Sequence, residues 1–342
     1  MILTYKIRHN SNLSVELQKA RQIAKFAIEH QTLSSASVKN IGLKSMIANQ
    51  ILRKYGRNKK IKKISSVNLI IPNQGIKVNG NKISIPCLKL NLVLDKQYQK
   101  INQIELNKEY AFISVSVLEH SAIEPKQWLG VDLNATGHCA VVANDSTGKV
   151  LKLGKKANHI HQKYKNIRKK LQKQGKFKQV KIIKDRESRI VKDLNHKIAR
   201  RIVNEAVKTE AGIVLEDLKG IRKTKKQAKS FRYSLNSWSF YQLRTFIEYK
   251  AKLQGILVVK IDPQYTSQQC SKCGLLGERT GKKFKCSCGN VEHADVNAAF
   301  VIAGRHDGKV QFPVEREIGK GSTDTPKGTT PRMLVIPEPA KL

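Results

Sequence analysis

Trp128-Leu129-Gly130-Val131-Asp132-Leu133-Asn134 is an apolar strand closed by a carboxylate, and its reading decides the fold. The turn Asn134-Ala135-Thr136-Gly137 follows it, and then a second strand, Cys139-Ala140-Val141-Val142. A long basic helical region is predicted over 156–209, with Ile198, Ile202 and Ala206 at four-residue spacing. Gly212-Ile213-Val214-Leu215-Glu216-Asp217 is again an apolar strand ending in acid, and Gly255-Ile256-Leu257-Val258-Val259-Lys260-Ile261-Asp262 is a third. Between them Leu243, Phe246, Ile247 and Leu253 mark a helix over about 239–254. Strands alternating with helices point to an α/β domain.

In such sheets ligand sites sit at the carboxyl ends of the strands. Asp132 and Glu216 occupy two such ends, and Asp295 opens the apolar helical run Ala294–Phe300. Neighbouring strands would bring the first two together, and the helix N-terminus would add the third. Three converging carboxylates repel one another without a cation, and Mg²⁺ takes hard oxygen ligands while keeping positions for water and phosphate. Two such ions about 4 Å apart can activate water and stabilise a leaving 3′-oxygen. Acids at strand ends also serve as helix caps and turn residues. Asp217, alternating away from Glu216, and Asp262, before Pro263, are read in that structural way.

The charge agrees with phosphate chemistry. The 342 residues hold 65 Lys and Arg against 26 Asp and Glu, a formal net charge of +39. Such a chain repels itself unless a polyanion neutralises it. Nineteen basic and three acidic residues lie between Lys152 and Arg201, seven basic residues lie from Arg53 to Lys63, and six from Lys219 to Lys229. No apolar run is long enough to span a bilayer, and Met1–Lys6 has no signal-peptide pattern. Nucleic acid, with no membrane partner and a cytoplasmic location, is therefore the expectation.

Upstream, 14–30 reads as an amphipathic helix and Val38–Tyr55 as a second. Short alternating runs at Val67–Ile71, Ile76–Val78, Lys82–Ile85, Leu90–Leu94 and Ala111–Val117 predict a small antiparallel β-domain over 1–125, with the helical segment inserted near its start. The tail from Gly304, rich in Gly, Pro, Thr and Lys, is read as poorly ordered.

Four of six cysteines cluster. Cys270-Ser-Lys-Cys273-Gly274 and Cys286-Ser-Cys288-Gly289 are separated by twelve residues, and each Gly lets backbone amides turn toward thiolate sulfurs. Two such knuckles fit a tetrahedral Cys₄ zinc ribbon with a structural role. The second pair is one residue shorter than Cys-x₂-Cys, so His293 is a substitute ligand, and an empty ribbon or reduced core cysteines are the bland alternatives.

Gly130–Asn134, Asp193-Leu194-Asn195-His196-Lys197-Ile198, Val214–Leu218, Asn236–Leu243, Tyr265–Gly274 and His293-Ala294-Asp295-Val296-Asn297-Ala298-Ala299 together resemble the TnpB family of insertion-sequence-encoded RNA-guided nucleases, related to type V CRISPR effectors. The resemblance covers about 128–304. It implies a split RuvC-like nuclease domain of RNase H fold (126–265 and 293–305) with Asp132, Glu216 and Asp295 as catalytic acids holding two Mg²⁺, or Mn²⁺ in their place. It places the zinc ribbon, a target nucleic-acid-binding module, at 266–292. It implies that 1–125 is a β-barrel-like wedge domain carrying a recognition insertion over about 12–63, and that 306–342 is a tail. Its implied partners are a guide RNA and target DNA beside a short motif, with sequence read by base pairing, and a monomer in the prokaryotic cytoplasm, nucleoid-associated when on target. Three other readings share the architecture: a nuclease-dead RNA-guided repressor, an unguided structure-selective nuclease, and a strand-transferring transposase or accessory protein.

Overall fold

The computed structural model describes residues 1–58, 61, 64–134, 137–218, 240–306, 308 and 310. The basic block at 219–229, four residues of the block at 53–63, positions 135–136 of the first turn, positions 236–239 and the tail beyond 310 lie outside the described residues. The chain divides into two compact units. One comprises Met1–Glu124 with Ile247–Leu257, and the other comprises Pro125–Phe246 with the described residues from Val258 on.

The first unit contains β1 (Ile2–Arg8), α1 (Ser14–His30), a 3₁₀ segment (Ser35–Ile41), α2 (Ser45–Gly56), β2 (Leu69–Pro72), β3 (Lys77–Asn79), β4 (Lys82–Ile85), β5 (Leu90–Val93), β6 (Lys100–Leu106) and β7 (Tyr110–Ser116). The strands form two antiparallel sheets, β1-β7-β6-β2 and β3-β4-β5. Alternation buries Ala111, Ile113 and Val115 of β7, while helical spacing buries Ala20, Ile23, Ala24 and Ala27 of α1 in the same core. The helix predicted from Val38 starts only at Ser45, because Gly42 turns the chain with φ 71. Strand β6 escaped the sequence reading for a physical reason. A register shift between Ile101 and Gln103 lets Ile101 and Ile104, three apart, both face the core, so the period of two is broken. Ile247–Leu257 joins this unit through the Ile123–Ile256 bridge and the Ile123 N–H donating to the Gly255 carbonyl at 2.9 Å.

The second unit holds β8 (Gln127–Leu133), β9 (Ala140–Asn144), β10 (Val150–Leu153), α3 (Lys155–Lys173), α4 (Phe177–Lys208), β11 (Ala211–Glu216), the start of α5 (Phe240–Lys252) and β12 (Val258–Ile261). The sheet order is β10-β9-β8-β11-β12. Strands β8, β9 and β10 form an antiparallel meander, and β11 and β12 add in parallel. The helical region predicted as one piece is two helices, since Gly175 adopts φ 67 between them. They are pinned together by Glu187 of α4, which accepts from His161 Nδ1 at 2.7 Å and pairs with Arg168, both on α3. The strand predicted from Gly255 begins at Val258, because Gly255 itself turns with φ 68. A three-stranded antiparallel ribbon follows, β13 (Glu278–Thr280), β14 (Lys283–Lys285) and β15 (Val291–His293), then α6 (Ala294–His306), which packs on β8, β9 and β11.

Candidate functional site

Side chains of β8 and α6 meet in a graded ladder. Residues 128, 130 and 132 share one face of β8. Trp128 stacks edge-on with His306 at 4.0 Å, at the C-terminal end of α6. A Cβ on Gly130 would collide with the backbone of Ala303 and Ala299, one and two turns closer to the helix start. Asp295 lies one further turn back, so helix and strand run in opposite senses and Asp295 comes level with Asp132. Val296 shares a small core cluster with Val141, the β9 partner of Asp132, in agreement with this placement. Glycine and alanine are what let the helix approach closely enough to bring its first turn to the strand end.

Glu216 reaches the same place along the sheet. The pairs Val214–Gly130 and Leu215–Val131 are in parallel register, so Glu216 is next in line beside Asp132, on strands spaced about 4.8 Å apart. Gly212, paired with Trp128, leaves room for the indole, which a Cβ would overlap. The sequence-predicted acids Asp132, Glu216 and Asp295 are all buried, Asp295 to 1% exposure.

Burial pushes the Asp132 carboxyl up to about 8, with the negative charges of Glu216 and Asp295 adding to the rise and the Asn134 amide opposing it. Burial also raises Glu216, against the hydroxyl of Thr266, which donates to its Oε1 at 2.5 Å. Asn134 Nδ2 donates to Asp132 Oδ2 at 2.8 Å. Asp295 is neutralised from the ribbon: Arg279 donates to Oδ1 at 2.9 Å and Lys282 to Oδ2 at 2.6 Å. Asp217 instead pairs with Arg244 of α5 at 3.2 Å, and Asp262 accepts from the Gln264 N–H at 2.8 Å in its own turn. Thr266, Asn134, Arg279 and Lys282 were not singled out from the sequence. The first two stood within the quoted motifs, but nothing local marks a threonine fifty positions from its carboxylate as that carboxylate's partner.

Raised carboxyls packed against one another are a donor set that a divalent cation fits, since hard oxygen ligands and a positive charge remove both the burial penalty and the repulsion.

The four cysteines also assemble. Their sulfurs lie within 4.8 Å of one another, with Cys270–Cys288 at 3.8 Å and Cys273–Cys286 at 3.4 Å. Tetrahedral Zn–S bonds of about 2.3 Å require S–S edges of about 3.8 Å, so the tetrad fits zinc as it stands. The Cys-x-Cys spacing does not pull Cys288 away. His293 is outside this group; its Nδ1 is buried without a hydrogen-bond partner among the described residues, and Asp295 and His138 are among its electrostatic neighbours. Burial would raise the Cys270 thiol, but the Cys273 and Lys272 N–H groups and the Asn290 amide bring it down to about 7, toward the thiolate a metal needs.

Fourteen Lys and Arg and no acid lie between Asp145 and Asp185, and the lysines at 173, 176, 178 and 181, around the α3–α4 turn, are exposed. No helix among the described residues is long and apolar enough to cross a membrane.

Comparison with known proteins adds four findings. The family model described as the Cas12f1-like TNB domain matches residues 240–302. A TnpB-like protein of Methanocaldococcus jannaschii is 32% identical over 276 residues, 72% of this chain and 99% of that one. A CRISPR-associated endodeoxyribonuclease Cas12f1 of Sulfoacidibacillus thermotolerans is 41% identical over 133 residues, 37% of this chain but only 30% of that longer protein. A cryo-EM structure of a Cas12f1–sgRNA–target DNA complex aligns with 90% of this chain and 100% of its own, at 18% identity and a TM-score of 0.46.

Proposed function

The chain belongs to the TnpB-like family, and from that premise we propose that it is a divalent-metal-dependent DNA endonuclease directed by a bound guide RNA. One observation carries the reading: Asp132, Glu216 and Asp295, from two parallel strands and a helix start, meet as buried carboxylates beside cationic groups of the cysteine ribbon. The endodeoxyribonuclease name of a relative 41% identical over the stretch it matches supports DNA as the substrate. The antiparallel meander continued by parallel strands, with a helix closing over the acids, supports a RuvC-like core of RNase H type. The first unit would then serve as the wedge and recognition region and the Cys₄ ribbon as the nucleic-acid-binding module. A single copy acting in the prokaryotic cytoplasm completes the reading.

In this mechanism Asp132, Glu216 and Asp295 would hold two Mg²⁺, or Mn²⁺, which when bound supply an acidified water and charge neutralisation at the leaving 3′-oxygen. Asn134 and Thr266 restrict which carboxylate oxygens of Asp132 and Glu216 face the substrate. Arg279 and Lys282 set positive charge at the edge of the acid group, where a phosphodiester must approach. The lysine-rich α3–α4 turn grips backbone phosphates without reading bases. Cys270, Cys273, Cys286 and Cys288 would hold zinc and so shape the ribbon that carries Arg279 and Lys282.

The test is cleavage of matched duplex DNA by the protein–RNA complex in Mg²⁺. Wild type should cut and Asp132→Ala should not; equal cutting by the two, or wild-type cutting indifferent to the RNA, defeats the proposal.

A further inference from the structure

Two of the polar residues buried between the ribbon and α6 have no part in the chemistry above. Asn297 is fully buried, two residues beyond Asp295 on α6. Two residues rotate a helix by about 200°, so Asp295 faces β8 while Asn297 faces away from it. Every strong bond of the Asn297 amide goes to the first cysteine knuckle. Its Nδ2 donates to the Gln269 carbonyl at 2.6 Å, and its Oδ1 accepts from the Ser271 N–H at 3.0 Å, so it clasps the backbone on both sides of Cys270. Asn290 completes the link: its Nδ2 lies 3.4 Å from Cys270 Sγ and 3.5 Å from Asn297 Oδ1. Lower on the same helix, Arg305 donates twice to Gln269 Oε1, at 2.9 and 2.8 Å.

We propose that Asn297 is a positioning residue that ties metal occupancy of the four-cysteine site to the placement of Asp295. This rests on the reading of Asp295 as a ligand of the catalytic ions. A buried amide is tolerated only while its donors and acceptors are matched. The Gln269 carbonyl and Ser271 N–H are matched to Asn297 only in the knuckle conformation that ligation of Cys270 maintains. If the knuckle relaxes, the Asn297 bonds break together, and the first turn of α6 loses its hold on that side. Its opposite side is held by Arg279 and Lys282, which come from the same ribbon. The helix start that presents Asp295 is thus gripped from both sides by one small metal-dependent element. Groups that orient metal ligands in this way are commonly worth about 10–100-fold in metal affinity or activity.

The test compares full-length wild type, Asn297→Ala, Asn290→Ala and Asp295→Ala, each zinc-loaded and each stripped by chelator under reducing conditions. Two readouts are taken: amide hydrogen exchange over residues 294–299, and Mn²⁺ affinity by electron paramagnetic resonance. In wild type, stripping zinc should speed exchange there about tenfold or more and weaken Mn²⁺ binding about tenfold. Zinc-loaded Asn297→Ala should already show both losses, with little further change on stripping. Asn290→Ala, which removes the weaker bonds and is the milder change should Asn297→Ala not fold, should show part of each. Exchange that ignores zinc in wild type, or a zinc-loaded Asn297→Ala that matches wild type in both readouts, overturns the proposal. A wild type in which zinc governs exchange while Mn²⁺ binds no more tightly than to Asp295→Ala leaves the coupling standing and sinks the catalytic reading of Asp295 instead.

Discussion

The cysteine tetrad and the acidic triad both gather groups that repel one another when ionised, yet they are built in opposite ways. The tetrad is local: Cys270 to Cys288 fall within one ribbon, and Cys273 and Cys288 remain exposed. The triad is remote: its members lie roughly eighty residues apart along the chain and are buried on two strands and a helix. A local site can form as soon as its ribbon does, so metal binding there would be one event with ribbon folding. The remote site needs the whole sheet and its covering helix first. Its charges are therefore managed by the finished fold, through burial, Thr266, Asn134 and the two ribbon cations.

The largest effects should come from breaking each site outright. Asp132→Ala or Glu216→Ala should lower DNA cleavage by about 10²–10³-fold or more, the scale of removing one preorganised electrostatic group, measured as single-turnover rates in Mg²⁺. Cys270→Ser should release zinc and expose 266–293 to hydrogen exchange, while β8 and β11 stay protected. Loss of protection across the main sheet as well would show the ribbon to be less independent than its local construction implies.

Smaller changes sharpen the contrast. Thr266→Val keeps the volume but strands Glu216 without its 2.5 Å partner, so cleavage should fall about 10–100-fold, and Thr266→Ser should restore most of it. Gly130→Ala forces α6 off β8 and should destabilise the protein by about 1–3 kcal/mol, seen as a lower denaturation midpoint. The last effect concerns pH. Asp132 is raised to about 8 when folded, above its ordinary unfolded value of about 4. The native state therefore binds more protons than the unfolded one between those values, and metal-free stability should decline as pH rises from about 4 to 8. Asp132→Asn should flatten that slope, and added Mg²⁺ should oppose the decline in wild type only. Urea midpoints across the pH range measure both.

Much of this was legible in advance because the signals are local. The acids that close apolar strands, the paired Cys knuckles and the alternation in β7 need only neighbouring residues to be recognised. At three of the misses a single backbone event had broken the local period: the shift at Ile101–Gln103 hid β6, Gly42 shortened α2, and Gly175 divided one predicted helix into two. His293 was an open candidate for zinc because one residue was missing from the second knuckle, and the ring instead lies on the side of Asp295.

The sequence by itself determined the charge that seeks phosphate, the order of acid, acid, cysteine pairs and acid, and the ribbon, since each is a matter of composition or short spacing. Only the tertiary structure decided which oxygens of those acids are held, by which groups, and how far burial raises their protonation. Those quantities depend on parallel register between β8 and β11, on a Gly–Ala contact that admits α6, and on an asparagine facing the ribbon while its neighbour two residues away faces the acids. Each is a distance between residues far apart in the chain, and it takes a value only when the core closes.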